Sequence, residues 1–161
     1  MKQSTPTKKE ELVVAGLSVD QMRLDGLALM EDHWREIATN KDLPLEPDWD
    51  AYYHLEKMGK LLSLGAWAGS ELVGYFVGIY VPKGLHYQAW SYVQNDIFYV
   101  APPYRGKMVA GRLIRTARLL STAKGMTCII WHCKPGTEMD VMLSRSDRYS
   151  LKEHVYYQEL N

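Results

Sequence analysis

The chain has 161 residues, with 19 basic and 19 acidic side chains and a formal net charge of zero. That length suits one folded domain, and 47% apolar with 24% charged residues is ordinary for a water-soluble globular chain. Zero net charge argues against broad electrostatic binding to nucleic acid or an anionic membrane, and no apolar run is long enough to span a bilayer.

Met1 to Glu11 is polar and charged and lacks the apolar stretch of a signal peptide. Residues 1–11 therefore read as a flexible tail, 12–161 as a single domain, and the cytoplasm as the default compartment. Leu12 to Ala15 is a short strand candidate. Ser18 can cap a helix, in which Val19, Met22, Leu27, Met30, Trp34 and Ile37 form one apolar stripe. Leu43 to Pro47 is a rigid connection, Asp48 can cap a second helix, and Gly59 ends it. Leu61 to Ala68 and Leu72 to Val81 read as strands joined at Gly69-Ser70. Pro82-Lys83-Gly84 breaks the second, and Pro82 to Trp90 is the candidate substrate loop. Most of the aromatics before residue 95, including Trp34, Trp49, Tyr52 and Tyr53, belong to the core, with some left to line a cleft.

Trp90 to Val100 is the next strand, followed by a helix from about Lys107 to Lys124 and a glycine stop at Gly125. Met126 to His132 is dense in apolar residues and reads as a buried strand. Cys128 and Cys133 lie near its two ends and should point to opposite faces, which disfavours a disulfide. With only His132 beside them they fall short of a zinc site, so two reduced cysteines are expected, at least one of them in the core, and no metal. Lys134-Pro135-Gly136 turns the chain, Thr137 can cap a short helix through Leu143, and His154 to Leu160 alternates as a final strand. Hairpins first and a strand–helix–strand crossover second predict an α/β chain with a mixed sheet and helices on both faces.

One stretch carries the chemistry. Asn95 to Val100 suits a strand, Pro102-Pro103 stops it, and a basic glycine-containing turn follows from Arg105 to Gly111. Val109, Leu113, Ala117 and Leu120 then recur at helical spacing. Strand, basic turn and helix together aim backbone N–H groups and the positive end of a helix dipole at an anion, so a phosphate-bearing ligand is inferred. The competing reading is a plain basic helix start. A P-loop or dinucleotide-binding turn ranks last, because the lysine-serine/threonine ending and the three-glycine fingerprint are both missing.

The wording of that turn resembles motif A of the GNAT superfamily of N-acetyltransferases, Q/R-x-x-G-x-G/A. Arg105 matches the first position and Ala110 the last, while Met108 stands where the middle glycine is usual. The Tyr-Arg-Gly-x-Met variant resembles GNAT-like proteins of tailed phages. The likeness is best over Asp96 to Ile114 and looser over Leu61 to Leu160. It implies a GNAT-like fold, with a mostly antiparallel sheet splayed between strands 4 and 5. It implies acetyl-CoA as co-substrate, with the amides of Arg105, Gly106, Lys107, Met108, Val109, Ala110 and Gly111 on the pyrophosphate and Arg112 near the nucleotide's further phosphate. Backbone of Phe98, Tyr99 and Val100 would pair with the pantetheine arm, the Val100 amide facing the thioester oxygen.

A lysine-like amine has a reference pKa of about 10.4 and must lose a proton before it attacks a thioester. In the family an acidic residue two positions before the pantetheine-pairing strand often takes that proton, which points here to Asp96. The other reading of Asp96 is a strand-edge carboxylate that pairs with a cation. Tyr149 is the candidate acid for the departing thiolate, and His132 a reserve base. The resemblance further implies a small-molecule or protein amine acceptor, a possible homodimer, and the host cytoplasm if the chain is phage-encoded. Its rival is a catalytically inactive CoA-binding or structural phage-associated protein of the same fold.

Overall fold

The computed structural model describes residues 11–158 and 160. The expected tail, 1–11, lies almost wholly outside them. The described chain divides into two compact units, one running to Ile130 and the other from Trp131.

The first unit is a sheet with helices on each face. Its strands are β1 (Leu12–Gly16), β2 (Leu61–Ala68), β3 (Glu71–Val81), β4 (Tyr92–Val100) and β5 (Cys128–Ile130), lying side by side in that order. Every neighbouring pair is antiparallel except β4–β5, which is parallel. A parallel neighbour requires a crossover, and α4 (Val109–Ala123) supplies it. The β2–β3 turn has only Gly69 and Ser70 between the paired Ala68 and Glu71, as the hairpin signal predicts.

Between β1 and β2 run α1 (Val19–Asp25), α2 (Leu27–Ile37) and α3 (Trp49–Lys57). Ser18 and Gln21 form a reciprocal cap on α1, and Asp48 accepts the Ala51 N–H at the start of α3. The single stripe read across α1 and α2 is broken at Gly26, where a Cβ would sit 2.6 Å from the Met22 carbonyl oxygen. The break rotates the buried face. Leu29, Met30 and His33 point inward on α2, whereas Leu27 is exposed. Leu29 and Met30, with Leu17 and Met22, pack in one cluster with Tyr75, Val77 and Tyr99 of the sheet. On the other face α4 buries Val109, Leu113 and Ala117, and Ser121 takes the inward place expected of Leu120.

β5 is shorter and less covered than the buried strand expected from Met126 to His132: Cys128 is exposed, and Ile129 and Ile130 are half-buried. It ends the strand order, with a ladder on one side only among the described residues. Neither cysteine is a core residue, since Cys133 is only half-buried, and both are free thiols.

The second unit holds α5 (Glu138–Ser144), capped by Thr137, with Leu143 as its buried residue. The final strand expected over His154 to Leu160 does not form among the described residues. Val155, Tyr156 and Tyr157 are 82–89% exposed. An alternating run becomes a strand when a sheet pairs with it and covers one of its faces, and here both faces lie open. No helix among the described residues is long and apolar enough to cross a membrane.

Candidate functional site

The site is built on β4. Its register against β3 runs Val77↔Ile97 and then Gly78↔Asn95, so Asp96 is the extra residue of a β-bulge. A bulge bends its strand and re-aims the side chains beside it. On the other side, β4 pairs with β5 only from Tyr92↔Cys128 to Gln94↔Ile130. From Asn95 onward the β4–β5 ladder stops while β4 continues along β3 to Val100. The β4–β5 ladder thus ends just before the bulge.

Asp96 is exposed, and its carboxylate accepts a hydrogen bond from the Tyr52 hydroxyl of α3. Burial, and then the bond to Asp96, push the Tyr52 phenol far above its usual range. Tyr52 therefore stays protonated and donating at physiological pH. Beneath it, the Tyr75 hydroxyl lies 2.6 Å from His33 Nδ1 of α2, and burial raises the Tyr75 phenol as well. His33 stacks on Tyr99 with ring centroids 4.6 Å apart. Tyr99 in turn donates to Glu36 Oε2 at 2.8 Å, and burial followed by that bond pushes its phenol up to about 12.

The chain then turns. Pro102–Tyr104 make one 3-10 turn, and Ala101 N–H is bonded back to Val73. Arg105 folds its side chain against the strand end: Nε donates to the Val100 carbonyl at 2.9 Å, and Nη1 and Nη2 donate to Glu36 Oε1 and Oε2 at 2.8 and 2.6 Å. This forked pair holds the Glu36 carboxyl below the usual carboxylate range.

Gly106 has φ +72°, and Met108 is left-handed at φ 64°, ψ 7°. An L-residue with a Cβ rarely adopts that conformation. The Met108 side chain is 73% exposed, so the methionine supplies a backbone geometry and little packing. Its carbonyl takes the first helical bond of α4, from Arg112 at 2.9 Å. The amides of Val109, Ala110 and Gly111 precede that bond and have no intrahelical acceptor. No side chain caps this end, and no acidic residue lies in its first turn. An uncapped N-terminus opening on a 15-residue helix is suited to an anion.

The sequence-predicted residues fall into two groups. Asp96, Phe98, Tyr99, Val100 and the turn from Arg105 to Gly111 form one continuous run from the bulge to the helix. Arg112 is turned to β1, with Nη1 2.6 Å from the Leu12 carbonyl. Lys107 lies over the Tyr104 ring at 5.3 Å. His132 and Tyr149 belong to the second unit. There His132 is exposed, and Tyr149 closes a turn through its N–H to Ser146. Among the described residues no group of three His, Cys, Asp or Glu side chains is arranged to hold a metal.

Sequence reasoning missed His33 and Glu36. A signal was present for His33, which lies on the inward stripe of α2, where a polar side chain needs a partner; Glu36 is exposed and its spacing gave no such signal.

No family model and no characterised protein sequence matches the chain. Solved structures do. An aminoglycoside N-acetyltransferase, AAC(6')-Iy, in complex with CoA is 15% identical with a TM-score of 0.74, over 97% of this chain and 99% of that one. A ribosomal-protein-alanine N-acetyltransferase from Brucella melitensis biovar Abortus 2308 is 18% identical with a TM-score of 0.70, over 94% and 100%. An aminoglycoside acetyltransferase from an uncultured soil metagenomic sample, in complex with sisomicin, is 14% identical with a TM-score of 0.70, over 93% and 97%. Such likenesses bear on the fold. It is the GNAT fold implied by the turn: a mostly antiparallel mixed sheet with its one parallel pair at β4–β5.

Proposed function

We propose that the chain is an acetyl-CoA-dependent N-acetyltransferase acting on a primary amine. The observation that carries this reading is the run from Asp96 to Gly111, where a bulged strand leads into an uncapped helix through a left-handed residue. The fold, shared with a protein solved in complex with CoA, supports it.

In this reading the amides of Gly106 and of Met108 to Gly111 hold the pyrophosphate, the Lys107 N–H being directed to the Tyr104 carbonyl, and the backbone of Phe98 to Val100 pairs with the pantetheine arm. Acetyl-CoA supplies an activated acetyl thioester. Asp96, directly or through one water, accepts a proton from the acceptor ammonium or from the attacking nitrogen. A C–N bond forms as the C–S bond breaks, and the thiolate leaves as CoA. The Val100 N–H offers a donor to the thioester oxygen as its charge develops. Tyr52 keeps the Asp96 carboxylate in place. A small-molecule amine is the acceptor class this reading favours, in keeping with the sisomicin complex of a protein sharing the fold.

The test is CoA release from acetyl-CoA, followed with a panel of amines, for the wild-type protein and Asp96→Asn. The expected result is amine-dependent turnover that falls about 100- to 1,000-fold in the variant, with CoA affinity unchanged. CoA binding without turnover on any amine would contradict the catalytic reading. Absence of CoA binding would contradict the whole proposal.

A further inference from the structure

We infer that Glu36 is a positioning residue for the cofactor turn, acting through Arg105; this rests on the acetyl-CoA reading above. One carboxylate joins three elements. Both of its oxygens take Arg105 N–H bonds at 2.8 and 2.6 Å, and Oε2 also takes the Tyr99 hydroxyl at 2.8 Å. Through Arg105 Nε the same cluster reaches the Val100 carbonyl at 2.9 Å. Helix α2, the last two residues of β4 and the first residue of the turn are thereby held as one unit.

The position of this clasp matters. Val100 is the residue whose N–H would face the thioester, and Arg105, its own N–H bonded to the Pro102 carbonyl, immediately precedes the segment whose amides would face the pyrophosphate. A planar guanidinium held by a carboxylate fork, with a carbonyl on its third edge, fixes both position and orientation. The guanidinium also lies 5.3 Å from the Tyr99 ring, whose plane is set by stacking on His33. The backbone between Val100 and Arg105 is therefore constrained at both ends.

The arrangement also reassigns Arg105. At first sight its charge is one for the phosphates. In the structure three of its N–H groups are spent on Glu36 and Val100, and the Glu36 charge offsets its own. Arg105 serves as a strut, and the anion is left to the helix amides. Two opposite outcomes follow. If Arg105 is a strut, losing Glu36 harms cofactor binding as much as losing Arg105. If Arg105 is a phosphate ligand, losing Glu36 frees it and binding holds or tightens.

The experiment is calorimetric titration of CoA into the full chain as wild type, Glu36→Ala, Glu36→Gln, Arg105→Ala and the Glu36→Ala/Arg105→Ala double variant. Circular dichroism checks that each is folded, and the conservative Glu36→Gln keeps the comparison available where an alanine variant is not. The expected result is a Kd raised roughly 5- to 20-fold by either alanine, with the double variant no weaker than the worse single one, as coupled contacts behave. Glu36→Gln should fall between. In turnover assays the KM for acetyl-CoA should rise by a similar factor while kcat stays within about twofold, a split that general loosening of the fold does not produce. Unchanged or tighter binding in Glu36→Ala, or additive losses in the double variant, would overturn the role of Glu36 while leaving the acetyltransferase reading intact. Wild-type protein that binds no CoA would overturn both.

Discussion

Met108 offers the most direct handle on the turn, because its backbone and side chain can be separated. Its φ of 64° lies in the left-handed region, and its side chain is 73% exposed. Holding an L-residue there costs about 1–2 kcal/mol. Glycine removes that cost and adds about 0.4–1 kcal/mol of freedom to the unfolded chain. The difference favours Met108→Gly by about 0.5–1 kcal/mol. For a chain of 161 residues, 1 kcal/mol corresponds to about 2–4 °C, so the Tm should rise by about 1–4 °C. Met108→Asn should behave similarly, since asparagine tolerates the same conformation. Met108→Val should lose at least about 1 kcal/mol, because a β-branched side chain crowds the left-handed backbone. Little packing is lost in any of them, which leaves the backbone as the variable. CoA affinity should follow the same order, held in the glycine and asparagine variants and about tenfold weaker in the valine variant, whose first-turn amides are re-aimed. Thermal unfolding by circular dichroism and CoA calorimetry on the same samples decide it. A glycine variant that melts more than about 2 °C below wild type, beside an unaffected valine variant, would refute the left-handed turn.

Tyr52→Phe removes the donor that orients Asp96; kcat should fall about 10- to 150-fold, the size of one hydrogen bond to a charged group, while the CoA Kd holds. Equal kcat would show that the bond does not serve catalysis. Gly74 faces Val100 across the ladder, and an added Cβ would lie 3.0 Å from the Tyr99 carbonyl oxygen and 3.3 Å from Val100 Cγ2 and Val109 Cγ1. Gly74→Ala should therefore cost about 1–3 kcal/mol in chemical denaturation and weaken CoA binding, since it pushes apart the strand end and the helix start. The Glu36 carboxyl is held below its unfolded value of 4.5, chiefly by the Arg105 hydrogen bonds. Its stabilisation is thus complete above that pH and is lost as pH falls through the lower folded value. The Tm gap between wild type and Glu36→Gln should be widest near neutrality and narrow in acid; a gap independent of pH would contradict the pairing.

The sequence reveals much of the scaffold for physical reasons that are local. Ser18, Asp48 and Thr137 mark helix starts because a side-chain oxygen beside an exposed N–H needs no distant partner. Gly69-Ser70 marks the hairpin in the same way. The strand–turn–helix around residue 105 is legible because proline, glycine and helical spacing act over a few residues. The network of long-range hydrogen bonds is not. Tyr75 and His33 are 42 positions apart, and Glu36 and Arg105 are 69 apart. Periodicity says that a face is buried, and leaves open which partner meets it. The offset on α2 has a similar cause, since one glycine at position 26 rotates every side chain that follows. Alternation at His154 to Leu160 looked like a strand because spacing alone carries no information about a free sheet edge. The bulge at Asp96 was likewise invisible, being a property of two strands in register.

The central claim is that main-chain N–H groups at the start of α4 receive the cofactor's diphosphate. An amide-resolved nitrogen–proton NMR titration of the wild-type chain with CoA tests it most directly. The account predicts the largest shifts at Gly106, Met108, Val109, Ala110 and Gly111, with a second set along Phe98 to Val100. Saturable shifts confined to other parts of the chain, with the turn unmoved, would contradict it.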